Sequence, residues 1–99
     1  MMPNLENKYP NWLWIARKNK GLKQKSVAQR LGANDTHLSR YESGLVSPNL
    51  YMALKLSILY GVTVDDLYKP LIERLKQEIA PVEHAVHRGG IPASRAFYL

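Results

Sequence analysis

A chain of 99 residues with 45% hydrophobic content has material for one compact core and not for two. The absence of cysteine excludes disulfides and thiolate metal sites, and no apolar run approaches the length of a membrane span. A net charge of +6 and a pI near 9.7 point to a polyanionic partner, either nucleic acid or an anionic surface.

Residues 1–9 mix proline, asparagine and charge without a helical period and read as an N-terminal arm. A first helix is predicted from about Pro10 to Asn19, with Trp12, Leu13 and Ala16 turned inward and Gly21 as its stop. Val27, Ala28 and Leu31 then share one face of a two-turn helix from Gln24 to Leu31, which Gly32 ends. After a tight turn Asn34 is a good N-cap, and Leu38 with Tyr41 gives the third helix an inward stripe before Gly44.

Ser47-Pro48-Asn49 opens a fourth helix, whose Leu50, Ala53, Leu56 and Tyr60 recur at three- and four-residue steps until Gly61. Thr63, followed by Asp65 and Asp66, caps a short fifth helix, with Pro70 closing it or starting the next element. Residues 70–80 carry Leu71, Ile72, Leu75 and Ile79 on one stripe and read as a sixth, amphipathic helix. Residues 81–99 hold Pro81, Gly89-Gly90 and Pro92 and read as a flexible tail. The expectation is an all-α protein: a five-helix domain over residues 10–69, an added C-terminal helix and an irregular tail.

The charge is not spread evenly. From Arg17 to Gly44 seven Lys/Arg face only Asp35 and Glu42, so this segment supplies +5 of the total +6. Within it, two short helices joined through Gly32 can cross steeply only if the contact residue is small, which Ala28 is. Leu38, ten residues after Ala28, can pack into the same junction.

This spacing of alanine, glycine and leucine resembles the Xre family, the phage repressor and Cro type of helix-turn-helix proteins. The resemblance runs over roughly residues 11–69 and rests on the strings LKQKSVAQRLGANDTHLSRYESG, SPNLYMALKLSILYGV and VTVDDLY. It implies a five-helix repressor-like fold and a regulator, most naturally a repressor, that binds double-stranded DNA as a homodimer with one helix per half-site.

With Leu38 and Tyr41 facing inward, the third helix turns Thr36, Ser39, Arg40 and Ser43 outward, with Asp35 and His37 on the flanks. Arg40 is the leading base reader, because its guanidinium can donate two parallel hydrogen bonds to O6 and N7 of guanine. Thr36 can meet a thymine methyl, Ser39 faces the same groove, and Asp35 either accepts from a cytosine amino group or serves as a helix cap.

Phosphate contacts are expected from Lys23, Gln24, Lys25, His37, Ser43 and Arg17. Gln24 occupies the position that in the family lies across the phosphates, and its two lysine neighbours oppose the helix dipole unless an anion arrives there. The family commonly places Ser or Thr where Lys23 stands. The resemblance also implies a structural ion pair between Arg17 and Glu42, which is expected to orient Arg17 toward a phosphate as well. In one respect the chain departs from its relatives: Ser43 to Ser47 contain no Lys or Arg, where relatives often bind phosphate.

Other features support little. Glu83, His84 and His87 are too few for a metal site in a breaker-rich tail, and no nucleophile setting or phosphate loop indicates an enzyme or a cofactor. The polar face of the sixth helix mixes Glu73, Arg74, Lys76, Gln77 and Glu78, which disfavours a membrane surface. That helix either packs over the fourth, where Leu54, Ile58 and Leu59 exceed the inward stripe, or pairs with a second subunit. An alternative function is an antitoxin-like interaction factor that engages a protein partner through residues 71–99. The absence of a secretory segment leads us to expect a soluble, cytoplasmic protein.

Overall fold

The computed structural model describes residues 7–80, and among them it shows six helices and no strand. They are α1 (Leu13–Asn19), α2 (Gln24–Leu31), α3 (Asp35–Ser43), α4 (Leu50–Tyr60), α5 (Val64–Leu67) and α6 (Lys69–Ile79). The all-α architecture expected from the pattern is the one observed.

One core joins the first five helices. Leu13 of α1, Val27 of α2, Leu38 of α3, Leu56 of α4 and Leu67 of α5 are all fully buried, with Leu31, Tyr60 and Tyr68 closing the cluster. Ala28, also buried, lets α2 and α3 approach at their crossing. The turn between them depends on Gly32, whose φ of 72° falls in the left-handed region that a side chain disfavours. There the amide of Ala33 donates back to the carbonyl of Ala28 at 2.9 Å, ending α2 and redirecting the chain within three residues.

The caps follow side-chain chemistry. Asn34 accepts from the amide of His37, Asn49 from that of Met52 and Thr63 from that of Asp66, so three helices begin where a short polar side chain satisfies an orphan N–H. Pro70 lies in the first turn of α6, where its missing N–H is harmless, so it opens that helix and does not close α5.

Three expectations need correction, and one open alternative is narrowed. α1 starts at Leu13 and not at Pro10: the side chain of Asn11 accepts from the Leu13 amide, and the residues before it form a bent, non-helical lead-in. Trp12 therefore sits at the N-cap and is 46% exposed, not buried; its amide donates to the Leu67 carbonyl at 2.7 Å. Leu50, at the start of α4, is exposed as well. Finally, α6 leans on α5 and leaves Leu54 and Ile58 48% and 80% exposed, so it does not cover that face of α4.

Candidate nucleic-acid interface

The seating of α3 begins with Leu38, whose complete burial fixes one side of the helix against the core. The periodicity then leaves Asp35, Thr36, His37, Ser39, Arg40 and Ser43 exposed, with Tyr41 and Glu42 half-buried between the two sides. Asn34, not Asp35, supplies the capping oxygen, at 2.8 Å from the His37 amide. Among the described residues the Asp35 carboxylate has no hydrogen-bond or ion-pair partner; it lies in the first turn, at the positive end of the helix. At the other end the Ser43 hydroxyl donates to the Arg40 carbonyl at 3.2 Å.

A buried polar cluster holds the inner side of α3. Arg17 Nε donates to Glu42 Oε2 at 2.7 Å, Nη2 to Oε1 at 3.1 Å, and Nη1 to the Leu22 carbonyl at 3.0 Å. Gln24 Nε2 completes it by donating to Glu42 Oε1 at 3.0 Å. One carboxylate thus joins α1, the first residue of α2 and the end of α3, and Arg17 ties in the turn before α2. The paired carboxylate raises the pKa of Arg17 above its ordinary value, against the opposing effect of burial. Arg17 is only 6% exposed and all three of its guanidinium nitrogens donate to groups within the domain, so it positions α3 and offers little surface to a phosphate. Gln24 likewise directs its side-chain amide to Glu42, leaving its backbone amide at the start of α2 for other acceptors.

Beside α3, the N-terminus of α2 is capped by no side chain and has no acidic residue in its first turn. Lys23 occupies the N-cap and Lys25 follows, both exposed. Each cation costs about 0.3–1 kcal/mol against the helix dipole, a cost that a bound anion reverses. The first-turn amides and two ammonium groups thus form a positive margin next to the exposed face of α3.

The geometry is that of two short helices across a glycine turn, the second presenting polar side chains and the first a positive end. A family model described as helix-turn-helix matches residues 15–67. The chain belongs to this family. It is the domain of Xre/Cro-type repressors, a DNA-binding regulatory family and not an enzymatic one. No curated protein and no solved structure matches the chain significantly. Among the described residues, no helix is long and apolar enough to cross a membrane. Glu83, His84, His87 and most of the proposed partner segment lie outside the described residues.

The helix-turn-helix unit has supports that the sequence reading missed. Asn11 Nδ2 donates to the carbonyls of Tyr9 at 2.8 Å and Tyr41 at 2.9 Å, while its Oδ1 caps α1. The amides of Lys8 and Tyr9 both donate to the Gly44 carbonyl, at 3.0 and 3.1 Å. Residues 7–11 thus form a strap over the C-terminus of α3, satisfying carbonyls that a helix end leaves open. Gly44 admits the strap because it has no side chain: a Cβ there would overlap the side chain of Asn7. At the far side, Arg74 of α6 donates to the Lys8 carbonyl at 2.6 Å. Lys55 is a further support, donating from α4 to the Leu31 carbonyl at the end of α2 at 2.9 Å. The only sequence signal was an asparagine two residues before a helical stripe; the partners of Lys55 and Arg74 are too distant in sequence for periodicity to link them.

Proposed function

We propose that the chain is a sequence-specific transcriptional repressor that reads the major groove of duplex DNA with α3. The observation that carries this reading is the division of α3 into two sides: Leu38 and Glu42 are held by the core, while Asp35, Thr36, Ser39 and Arg40 are left free toward solvent. Such a helix can enter a groove without giving up any contact that stabilises it.

In this reading Arg40 pairs with O6 and N7 of a guanine, Thr36 and Ser39 meet neighbouring base edges, and Asp35 accepts from a cytosine amino group. Asp35 suits the role because Asn34 has taken the cap. Lys23, Lys25, the backbone amide of Gln24, His37 and Ser43 contact phosphates on the two sides of the groove. Residues 10–69 form the DNA-binding domain, and the protein acts in the cytoplasm.

The operator is an inverted repeat bound by a homodimer. Supporting this, Leu50, Tyr51 and Ile58 are 73%, 68% and 80% exposed and, with Leu54, give α4 an apolar outer face; Leu45 and Val46, in the turn before α4, are exposed as well. The competing reading, an antitoxin-like interaction factor, draws support from Leu75 and Ile79, which are 42% and 59% exposed on the distal stripe of α6.

Selection of bound duplexes from a random pool at near-physiological salt tests these readings. Enriched half-sites about one helical turn apart establish the dimeric groove reader. Absence of any enrichment removes the sequence-specific regulator and leaves the interaction factor.

A further inference from the structure

The turn from Ser43 to Ser47 contains no Lys or Arg, yet it follows directly on the exposed end of α3. A groove-bound helix brings such a turn against the phosphates of one strand, and an uncharged turn offers them only amides and hydroxyls. The strap changes the chemistry of this corner. It lays the backbone of Lys8 on Gly44, with the Lys8 amide 3.0 Å from the Gly44 carbonyl, and leaves the Lys8 side chain exposed.

We propose that Lys8 is the phosphate-contacting cation of the turn after α3, supplied from the N-terminal strap in place of a residue of the turn itself. The inference rests on the DNA-binding reading above and adds a site to it.

Three features make the placement specific. The double hydrogen bond from Lys8 and Tyr9 to one carbonyl fixes the strap in register, and among residues 7–11 Lys8 is the one that carries a cation to the turn. Arg74 holds the Lys8 carbonyl from the opposite side, and Asn11 ties the strap to the Tyr41 carbonyl one turn back on α3. Gly44, at φ 80°, is the residue that lets the strap approach so closely. At Lys8 the strap is thus held through backbone groups, which leaves the exposed lysine side chain free to carry its ammonium group to a phosphate beside the turn. A phosphate there gains one point-charge partner that releases one counterion.

The test is binding of the full chain to a random-sequence duplex, followed by fluorescence anisotropy over a salt series. Lys8→Ala is expected to make the slope of log K against log salt shallower by about 0.9, so that the advantage of the native chain shrinks about 3.5-fold between 50 and 200 mM salt. Lys8→Arg is expected to restore the slope. Lys20→Ala serves as the control, since Lys20 Nζ lies beside Gly61 at the end of α4, and it should leave the slope unchanged. Because Lys8 donates to Gly44 through its backbone, neither substitution at residue 8 should alter the unfolding transition. If the native chain binds and Lys8→Ala leaves the slope unchanged, or changes it no more than Lys20→Ala does, the assignment of Lys8 is wrong while DNA binding stands. If the native chain binds no duplex at any salt, the DNA-binding reading fails and the assignment falls with it.

Discussion

Around α3, nearly every inward group is answered: Leu38 by the core, Glu42 by Arg17 and Gln24, and the last carbonyls by Asn11, Lys8 and Tyr9. The exposed residues of α3 itself are all polar. Along α4 and α6 the balance is reversed, with Leu50, Tyr51, Leu54, Ile58, Leu75 and Ile79 all exposed. The first region is complete in water and keeps its outer face for polar partners. The second region buries enough to fold but leaves apolar area that only another surface can cover. The two halves of one small domain therefore offer two kinds of contact, and substitutions should separate them.

The largest effect is expected at the polar cluster. Glu42→Ala leaves the Arg17 guanidinium buried without its carboxylate and should cost about 3–5 kcal/mol, measured by urea unfolding. Replacing Arg17 and Glu42 together by apolar residues of similar volume should cost clearly less than the single change, because no unpaired charge is left behind. A double variant as unstable as the single one would show that the pair contributes more than its mutual neutralisation.

The outer face of α3 should behave in the opposite way. Arg40→Ala removes an exposed side chain, so stability should stay within about 0.5 kcal/mol of the native value. Binding to a selected site should weaken by about 1–3 kcal/mol, with a smaller loss on random duplex. Equal losses on both duplexes would make Arg40 a phosphate contact and not a reader of bases.

The apolar face of α4 gives the matching test of the other half. Ile58→Lys places a charge where Ile58 is already 80% exposed, so the monomer should unfold within about 0.5 kcal/mol of the native chain. In sedimentation with a two-half-site duplex, however, the complex should contain one protein copy where the native chain contributes two. Two copies bound by the variant would move the subunit interface off this face.

Most of this fold is readable from side-chain periodicity and capping chemistry, because α2, α3 and α5 obey local rules. Val27, Ala28 and Leu31 are buried at the helical spacing that suggested them, and Asn34 and Thr63 cap where a short polar side chain precedes the stripe. Trp12 and Leu50 were misjudged because apolarity alone does not tell an inward residue from one at a helix start that faces solvent. The exposed residues of α3 followed from the same wheel, whereas the inward commitment of Arg17 and Gln24 did not. Their partner Glu42 is 25 and 18 residues away, and spacing within a helix carries no information about such distances. The strap was illegible for a related reason: its bonds run through backbone groups, which every sequence possesses.

The smallest effect concerns Tyr60, whose ring lies in the core with the hydroxyl buried and without a hydrogen-bond partner among the described residues. Burial, aided by the nearby Glu42 carboxylate and opposed by Arg17, pushes its pKa from 10.0 up to about 12. Below pH 10 the folded and unfolded chains both keep this proton, and Tyr60 adds no pH dependence. Above it the unfolded chain loses the proton first, so the folded state binds more protons and stability falls as pH rises from 10 toward 12. Tyr68, raised in the same direction mainly by burial, adds to the fall. Tyr60→Phe should therefore change little at neutral pH but make the alkaline loss shallower, as read from urea midpoints at pH 8 and pH 11. A variant whose midpoint falls as steeply as the native one would mean that the hydroxyl is not held protonated by the core, and that Tyr68 or another group governs the alkaline limit.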